Sequence, residues 1–591
     1  MHIVAKRIKG HEYFYLVEKA RQGHRVVTAR TVYIGDRQKL AQLVQQSAAA
    51  TVPQSFTAQE VGASLALATV ASDLGVEAVI DAICPVRHGA APLGRRVLIA
   101  ALHRALAPRG QNSQRSVPAW YATSALAELL PMAVADLDSR RVGEALGGIS
   151  RQQVEQIESA LVRRLIEKEG ISLTALAFDC TNFDSYAGAS TTSRLLRRGH
   201  AKSGRPLRVM GLGLLVTEDD GMPLLTFTYP GNENDVTSFA RFLKALDRRR
   251  GALDLPLDTT IAGDGGNISR QLLLRLEKDP RYYVLRLPAH HLVDVPRGPS
   301  ATLRPLMGKL KGKVWARKYV CAVYGVERCV VDVYSRRMHE RQKPGLCRDR
   351  ARARDELRNL VRLLENQRQG KRRAAPLTVR AVKRRVDKAL AREHMASLFA
   401  VRIKKREPAP TLEFQEVPQA WDHLHTHVLG RTLLVTNRRD WTPEQIVHAS
   451  RKQSHNERLF RDLKDPGGVS MLPLRHRRDA ALRVHALVVV LGLMLAKVLA
   501  RRLRRAGLPA TSITAVLTPL KNVQRARLHY GPDAPPALRA LASSVWVPSE
   551  RSPHQQAVLA VLGMSNRPEL GTTLINALAS SRRGRQGKTA A

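Results

Sequence analysis

The order of apolar runs between 173 and 288 constrains this chain more than any other feature. LTALAFD, ending in Asp179, is followed by two more strand-length runs, LRVMGLGLLVT (207–217) and MPLLTFTY (222–229), joined by the polar turn 218–221. A helical stretch over 235–249 comes next, then the strand DTTIAGD ending in Asp264, a helix from 269 to 278, and a fifth strand, RYYVLRLP. A meander of three strands, then helix, strand, helix and strand, predicts an α/β core with a mixed sheet flanked by helices. Acids at strand ends converge at one edge of such a sheet, where carboxylates can hold hard divalent cations. For either aspartate alone a turn or capping role is the plainer reading, most of all for Asp264, which precedes GlyGlyAsn.

A third acid lies far downstream. The stretch 446–466, IVHASRKQSHNERLFRDLKDP, reads as an amphipathic helix dominated by cations, and it carries Glu457. Helical spacing sets Ser450, Gln453, Glu457, Phe460, Arg461 and Lys464 on one face. An internal ion pair with Arg461 would account for Glu457 in isolation, at a few tenths of a kcal/mol. Three acids with a shared structural logic are harder to explain one at a time.

The remaining chain bounds the partners. At 591 residues it exceeds one core, so two to four domains are expected. With 96 Lys+Arg against 51 Asp+Glu, the net charge of +45 points to a polyanion, most economically nucleic acid. The five cysteines, Cys84, Cys180, Cys321, Cys329 and Cys347, form no Cys-x-x-Cys pair, which fits a reduced, cytosolic protein. No apolar signal core opens the chain, and the apolar segment 486–496 is too short to span a bilayer, so no membrane is expected.

Two alternating runs, 11–18 and 24–34, around ArgGlnGly predict an N-terminal hairpin. Helical patterns follow over 60–74, 93–106 and 151–169. The arginines among them, Arg95, Arg96, Arg104, Arg109 and Arg115, suit either a helix-turn-helix reader or a packing domain with a solvated basic face. The stretch from Asp264 to Glu457 is too long for one connection in a compact core. Within it, 313–335 alternates like strands, 350–367 and 382–392 look helical, and TLLVTN (432–437) returns to the core. Trp315, Tyr319 and Tyr324 could stack on a base, but aromatics in alternating strands are more often core. GlyLeuGly at 211–213 lies inside a strand and carries no nucleotide signal.

In this order, AFDCTNFDSY, GHAKSGRPLRVMGLGLLV with GMPLLTFTYPGNENDV, TIAGDGGNIS and NERLFRDLK resemble the DDE transposases of bacterial insertion sequences. The nearest pattern is that with a β-rich insertion before the last acid and a Tyr-Arg-Glu-Lys signature helix. The resemblance implies a ribonuclease H-like core in which Asp179, Asp264 and Glu457 hold two Mg²⁺ ions, with Mn²⁺ as a substitute. It implies a DNA transposase that cleaves transposon ends and joins them to target DNA, acting as a homodimer on terminal inverted repeats, in the bacterial cytoplasm at the nucleoid. Lys464 matches the signature Lys; Ser450 and Gln453 stand where the signature Tyr and Arg are expected. Arg461, Lys452, Arg451, Lys202 and Arg205 are the further DNA-contact candidates. On this reading 1–50 is a hairpin region, 51–170 a helical DNA-binding region and 171–290 the first part of the core. An insertion domain occupies 291–430, the end of the core and C-terminal helices 431–575, and a disordered basic tail 576–591. The alternative is a catalytically inactive, transposase-derived DNA-binding protein.

Overall fold

The computed structural model describes residues 2–22, 25–50, 52–188, 190–199, 204–264, 268–278, 281–287, 295, 297–298, 300–371 and 375–572. The chain divides into two compact units. One comprises Met1–Ile157, Asp462–Pro473 and Ala480–Ala591; the other Glu158–Arg461 and Leu474–Asp479.

The first unit opens with β1 (His2–Ile8), β2 (His11–Gln22) and β3 (Arg25–Asp36), an antiparallel meander that adds a strand to the expected hairpin. After α1 (Arg37–Ala50) comes β4 (Ser55–Glu60), so the helix expected from 60 begins only at Gly62. Helices α2 (Gly62–Asp73) and α3 (Val76–Ile83) break at Gly75, which takes the left-handed φ of 60° that favours glycine. Helix α4 (Leu93–Leu106) has the predicted bounds, and α5 (Val117–Thr123), α6 (Leu126–Leu129) and α7 (Ser139–Gly147) follow; α8 (Arg151–Glu169) begins in the first unit and, from Glu158, belongs to the second.

Most of the arginines in this region are used internally. Arg95 pairs with Glu77 at 2.9 Å, Arg96 with Asp136 at 3.2 Å, and buried Arg104 donates to the carbonyls of Ser470 and Leu472. Only Arg109 and Arg115 of the five keep the exposed positions that a solvated basic face needs. His103, beside Arg104 on α4, is buried against Trp120 and within 3.2 Å of the Ser116 hydroxyl. Burial, with the Arg104 charge next to it, holds its imidazole down at about 3. The denatured chain therefore takes up a proton first as pH falls. The stability contributed by neutral His103 is complete above about 6.5 and is lost toward about 3, by ~1.4 kcal/mol per pH unit. An acid titration of unfolding by tryptophan fluorescence should show that slope, and His103→Gln should flatten it.

The second unit is built on one sheet. Its strands are β5 (Ala175–Ser185), β6 (Arg197–Arg198), β7 (Arg208–Thr217), β8 (Pro223–Pro230), β9 (Thr260–Gly263), β10 (Tyr282–Leu287), β11 (Arg304–Pro305), β12 (Val314–Val323), β13 (Val326–Ser335) and, after the detour described below, β16 (Arg431–Thr436). The order is β11-β12-β13-β16-β10-β9-β5-β7, with β8 and the short β6 sharing the far side of β7. Strands β5, β9 and β10 run parallel; the other pairs are antiparallel. A meander of β5, β7 and β8 with β9 and β10 added beside β5 is the mixed, ribonuclease H-like sheet expected from the sequence. Helix α9 (Asp235–Arg249) covers one face, burying Phe239 and Phe242 against Phe178, whose ring stacks on Phe242 at 3.7 Å. Gly211 and Gly213 on β7 make room for this aromatic layer. A Cβ at Gly211 would lie 2.2 Å from the Tyr229 ring, and one at Gly213 would lie 2.8 Å from Phe178. Helix α10 (Arg270–Leu276) starts at Ser269, whose hydroxyl accepts from the Leu272 amide.

Three expectations for the middle of the chain change. Residues 313–335 are strands, as expected, but they extend the core sheet itself, because β13 pairs with β16 from Cys329 to Tyr334. Helix α11 (Arg336–Arg368) begins 14 residues before the expected 350 and runs through Pro344. With α12 (Val379–Ala389), α13 (Met395–Leu398), the unforeseen hairpin β14 (Phe399–Lys404) and β15 (Thr411–Glu416), and α14 (Pro418–His423), it encloses a separate core of Leu357, Leu364, Val382, Met395 and Phe399. Trp315, Tyr319 and Tyr324 are half-buried, so none is full core.

The sequence 446–466 is not one helix. Helix α15 (Pro443–Arg451) starts in a capping box, with Thr442 and Gln445 bonding reciprocally, and stops at Lys452; α16 (Gln453–Lys464) follows. Ser450 thus sits on a different helix from Glu457, and the buried stripe of α16 is Asn456, Leu459, Phe460 and Leu463. The remainder consists of α17 (Asp479–Arg505), α18 (Ile513–Lys521), β17 (Gln524–His529), α19 (Pro536–Ser544), β18 (Val547–Pro548) and α20 (Pro553–Val561). Strand β17 pairs with β4 and β18. Helix α17, 27 residues, is long and apolar enough to cross a membrane, but 89% of its apolar window is buried inside the protein. An added Cβ at Gly492 would meet the Ala101 carbonyl at 2.6 Å, so α17 lies backbone-close to α4. The expected tail, 576–591, lies outside the described residues.

Candidate active site

Strand register brings the first two acids together. Strands β5 and β9 pair from Ala175↔Thr260 to Phe178↔Gly263, so the next step sets Asp179 beside Asp264. Parallel neighbours in register share a face, so both project from the same side of the sheet. Asp264 comes directly after the last residue of β9, at the strand end expected from the sequence. Asp179 does not end its strand: β5 continues to Ser185, because its other edge pairs with β7 over the full length from Leu176 to Ser185. Asp179 therefore stands where the parallel pairing runs out and the antiparallel pairing persists.

Phe178 and Cys180 on either side of Asp179 are buried toward α9. Asp179 is half-buried on the opposite face, with Ala175, which packs with Ile446, Val447 and Ala449 of α15. Its Oδ1 accepts from the Cys180 amide at 2.7 Å. Burial, followed by smaller effects that include the Asp179 charge, pushes the Cys180 thiol up to about 12, so it stays protonated and is no nucleophile.

The same row contains a cation that sequence reasoning missed. Leu285 on β10 pairs with Gly263, which sets Arg286 beside Asp264, and its Nη1 lies 3.8 Å from Asp264 Oδ1. Both side chains are about half exposed, so the pair adds little stability. Its signal was present in RYYVLRLP, as a charge at the open end of an apolar strand. The row across three parallel strands thus reads Arg286, Asp264, Asp179.

Helix α16, which carries Glu457, is tied to β5 through the neighbouring Asn456. Asn456, fully buried, donates from Nδ2 to the Ala177 carbonyl at 3.2 Å, two residues before Asp179, and its Oδ1 is buried with no partner. The helix start is seated on the β7–β8 turn. Gly221, with φ at +63°, would place a Cβ 2.7 Å from His455 Cβ. Glu457 is exposed, and no ion pair with Arg461 forms, although Arg140–Glu144, Arg151–Glu155 and Arg352–Glu356 pair at the same spacing. The ion pair that would have explained Glu457 in isolation is therefore missing.

The two aspartates, hard oxygen donors side by side, fit a divalent cation. No group of three His, Cys, Asp or Glu able to hold a metal is gathered among the described residues, so Glu457 stands outside the pair. Of the DNA-contact candidates, Arg451 ends α15 and Arg461 lies on α16, both exposed; Arg205 is exposed before β7. Lys452 is half-buried near Glu218, whose carboxyl burial raises while Lys452 and His448 oppose the rise. Lys464 is half-buried at the end of α16, and Lys202 lies outside the described residues.

Comparison with known proteins adds the family. Residues 189–495 match the family model described as the transposase DDE domain, a span that includes Asp264 and Glu457 and begins ten residues after Asp179. No curated protein matches the chain. Among solved structures, a cryo-EM structure of the piggyBac transposase synaptic complex with hairpin DNA is similar at 9% identity and a TM-score of 0.35, covering 79% of this chain and 82% of that one. The family match spans more than half of the sequence, and the chain belongs to the transposases of the DDE-domain family.

Proposed function

We propose that this protein is a DNA transposase of a bacterial insertion sequence, which cleaves transposon ends and joins them to target DNA. The observation that carries the reading is the register of β5 and β9, which sets Asp179 beside Asp264 on one face of a ribonuclease H-like sheet. Asp179 and Asp264 hold divalent metal, Mg²⁺ or Mn²⁺, and Glu457 supplies the third carboxylate from α16. Two such ions, when bound, lower the pKa of the attacking water or 3′-hydroxyl and stabilise the leaving oxygen of an in-line displacement at phosphorus. Asp179 is fixed by its strand and by the Cys180 amide, so its carboxylate needs little reorganisation. Arg286, at the open end of the row, orients a phosphate oxygen next to Asp264.

Arg451, Arg461, Lys452, Lys464, Arg205 and Lys202 contact phosphates, in keeping with a net charge of +45. A homodimer brings two inverted-repeat ends together, and the protein works in the cytoplasm at the nucleoid. One observation favours a second reading, a DNA-binding protein that does not cut: Glu457 stands apart from the aspartate pair.

The test is cleavage of labelled DNA carrying the element's own inverted repeats, with Mg²⁺ or Mn²⁺, by the protein and by Glu457→Gln. Cutting at the repeat ends that is lost in the variant is the expected result. Equal binding by both with cutting by neither would favour the second reading.

A further inference from the structure

Four strands along the sheet from β9, a groove opens between the β11–β12 edge and the start of α15. It encloses about 780 Å³ and is lined by Arg304, Arg317, Lys318, Tyr319, Arg439 and Glu444, with apolar walls. Arg304 and Arg439 are exposed. Arg317 lies with its guanidinium 4.8 Å from the centre of the Tyr319 ring, and its Nε is buried with no partner. Gly298 permits that placement, since a Cβ there would come within 3.3 Å of the Arg317 guanidinium.

The wall is built as well as charged. Lys318 donates to the carbonyls of Arg439 at 2.7 Å and Trp441 at 2.8 Å, which ties β12 to the loop leading into α15. Glu444, the one acid among the described lining residues, accepts from the Met307 amide at 3.4 Å. Both exposed arginines thus line a groove whose acid, among the described lining residues, is already engaged with backbone.

We propose that this groove takes the phosphodiester backbone of duplex DNA, at a site separate from the acid row. The planar guanidiniums of Arg304 and Arg439 in the lining suit phosphate oxygens, which accept forked hydrogen bonds. Four inter-strand steps of ~4.8 Å put the groove roughly 20 Å from Asp264, or about six base pairs along a duplex at 3.4 Å each. A duplex cut at the acid row is therefore gripped about half a helical turn away from the cut. The inference rests on the reading of the protein as one that handles DNA; its test does not depend on cutting.

The experiment measures binding of a labelled duplex about three helical turns long against salt concentration. The protein is compared with Arg304→Glu/Arg439→Glu and with a control of equal charge change, Arg539→Glu/Arg567→Glu. Each phosphate contact contributes ~0.9 to the slope of log affinity against log salt, so the groove variant should lose about 2 from that slope. The control should keep the parent slope. The milder pair Arg304→Gln/Arg439→Gln should lose the same contacts and show the same change if charge reversal disturbs folding. Equal slopes for parent and both groove variants would overturn the proposal. Absence of cutting by the parent protein, with the slope change present, would count against the catalytic reading and leave the groove in place.

Discussion

Replacing Asp179 by asparagine is expected to lower the single-turnover rate of DNA cleavage by at least about a thousandfold, ~4 kcal/mol of barrier. Asparagine keeps the volume and an oxygen able to accept from the Cys180 amide, so the fold and DNA binding should stay intact. What disappears is the negative charge beside Asp264. Asp264→Asn should fall by a similar factor, and the double variant should be no worse than either single one, because groups that act as a unit are not additive. The metal dependence adds a second readout: the Mg²⁺ concentration giving half-maximal rate should rise in any variant that still cuts. Additive losses, or a rate within tenfold of the parent, would show that the strand register does not define a metal pair.

Asp332→Ala is expected to cost the second unit about 3–5 kcal/mol of stability, because it leaves a buried charge uncompensated. Asp332 on β13 and Arg431 on β16 are both almost fully buried, and they meet through two parallel hydrogen bonds, one of them Nε to Oδ1 at 2.9 Å. Arg431 also donates to the Gly298 carbonyl at 3.0 Å and to the Thr426 carbonyl at 3.3 Å, in the π-helical turn Leu424–Val428. One guanidinium therefore holds two strands, a loop and the entry to β16. Arg431→Met alone should be less costly than Asp332→Ala, since the aspartate can take up a proton when its partner is gone. The double variant Asp332→Leu/Arg431→Met should recover most of the loss. Urea denaturation followed by tryptophan fluorescence measures all three. A loss below about 1 kcal/mol for Asp332→Ala would mean that solvent reaches Arg431.

Much of the second unit's sheet was legible because its strands are long apolar runs separated by polar turns. The bounds expected for β7, β8, α9 and β10 fall within a residue or so of those observed. Asp264 was read at a strand end because TIAG is apolar and the residues after it are not. Asp179 was misplaced because the end of β5 is set by the length of its antiparallel partner β7, which lies 23 residues or more downstream and has no local signature in TNFDS.

The break between α15 and α16 has no glycine or proline to announce it, so periodicity alone carried one helix through Lys452. Pro344 misled in the other direction, since a proline inside 336–368 reads as a boundary while the helix continues through it. Arg286 became a site residue only through register, because Leu285↔Gly263 is a fact of pairing and not of pattern. The Arg95, Arg96 and Arg104 charges, read as a possible basic face, were answered by acids and carbonyls that no local window contains.

The pairing of β4 with β17 sets a schedule for how the protein can be made. Their side chains meet across 466 positions, as between Gln59 and Arg525. At ~5–20 residues per second, β4 leaves the ribosome roughly 20–90 s before its partner strand exists. Throughout that interval Phe56, Ala58 and their neighbours present an open strand edge, while all of the second unit is synthesised and can fold. Completion of the first unit is thus a late event in biosynthesis. A ribosome that stops before 524 releases a chain with a finished second unit and an unfinished first unit, a species prone to edge-to-edge association and a natural client for chaperones.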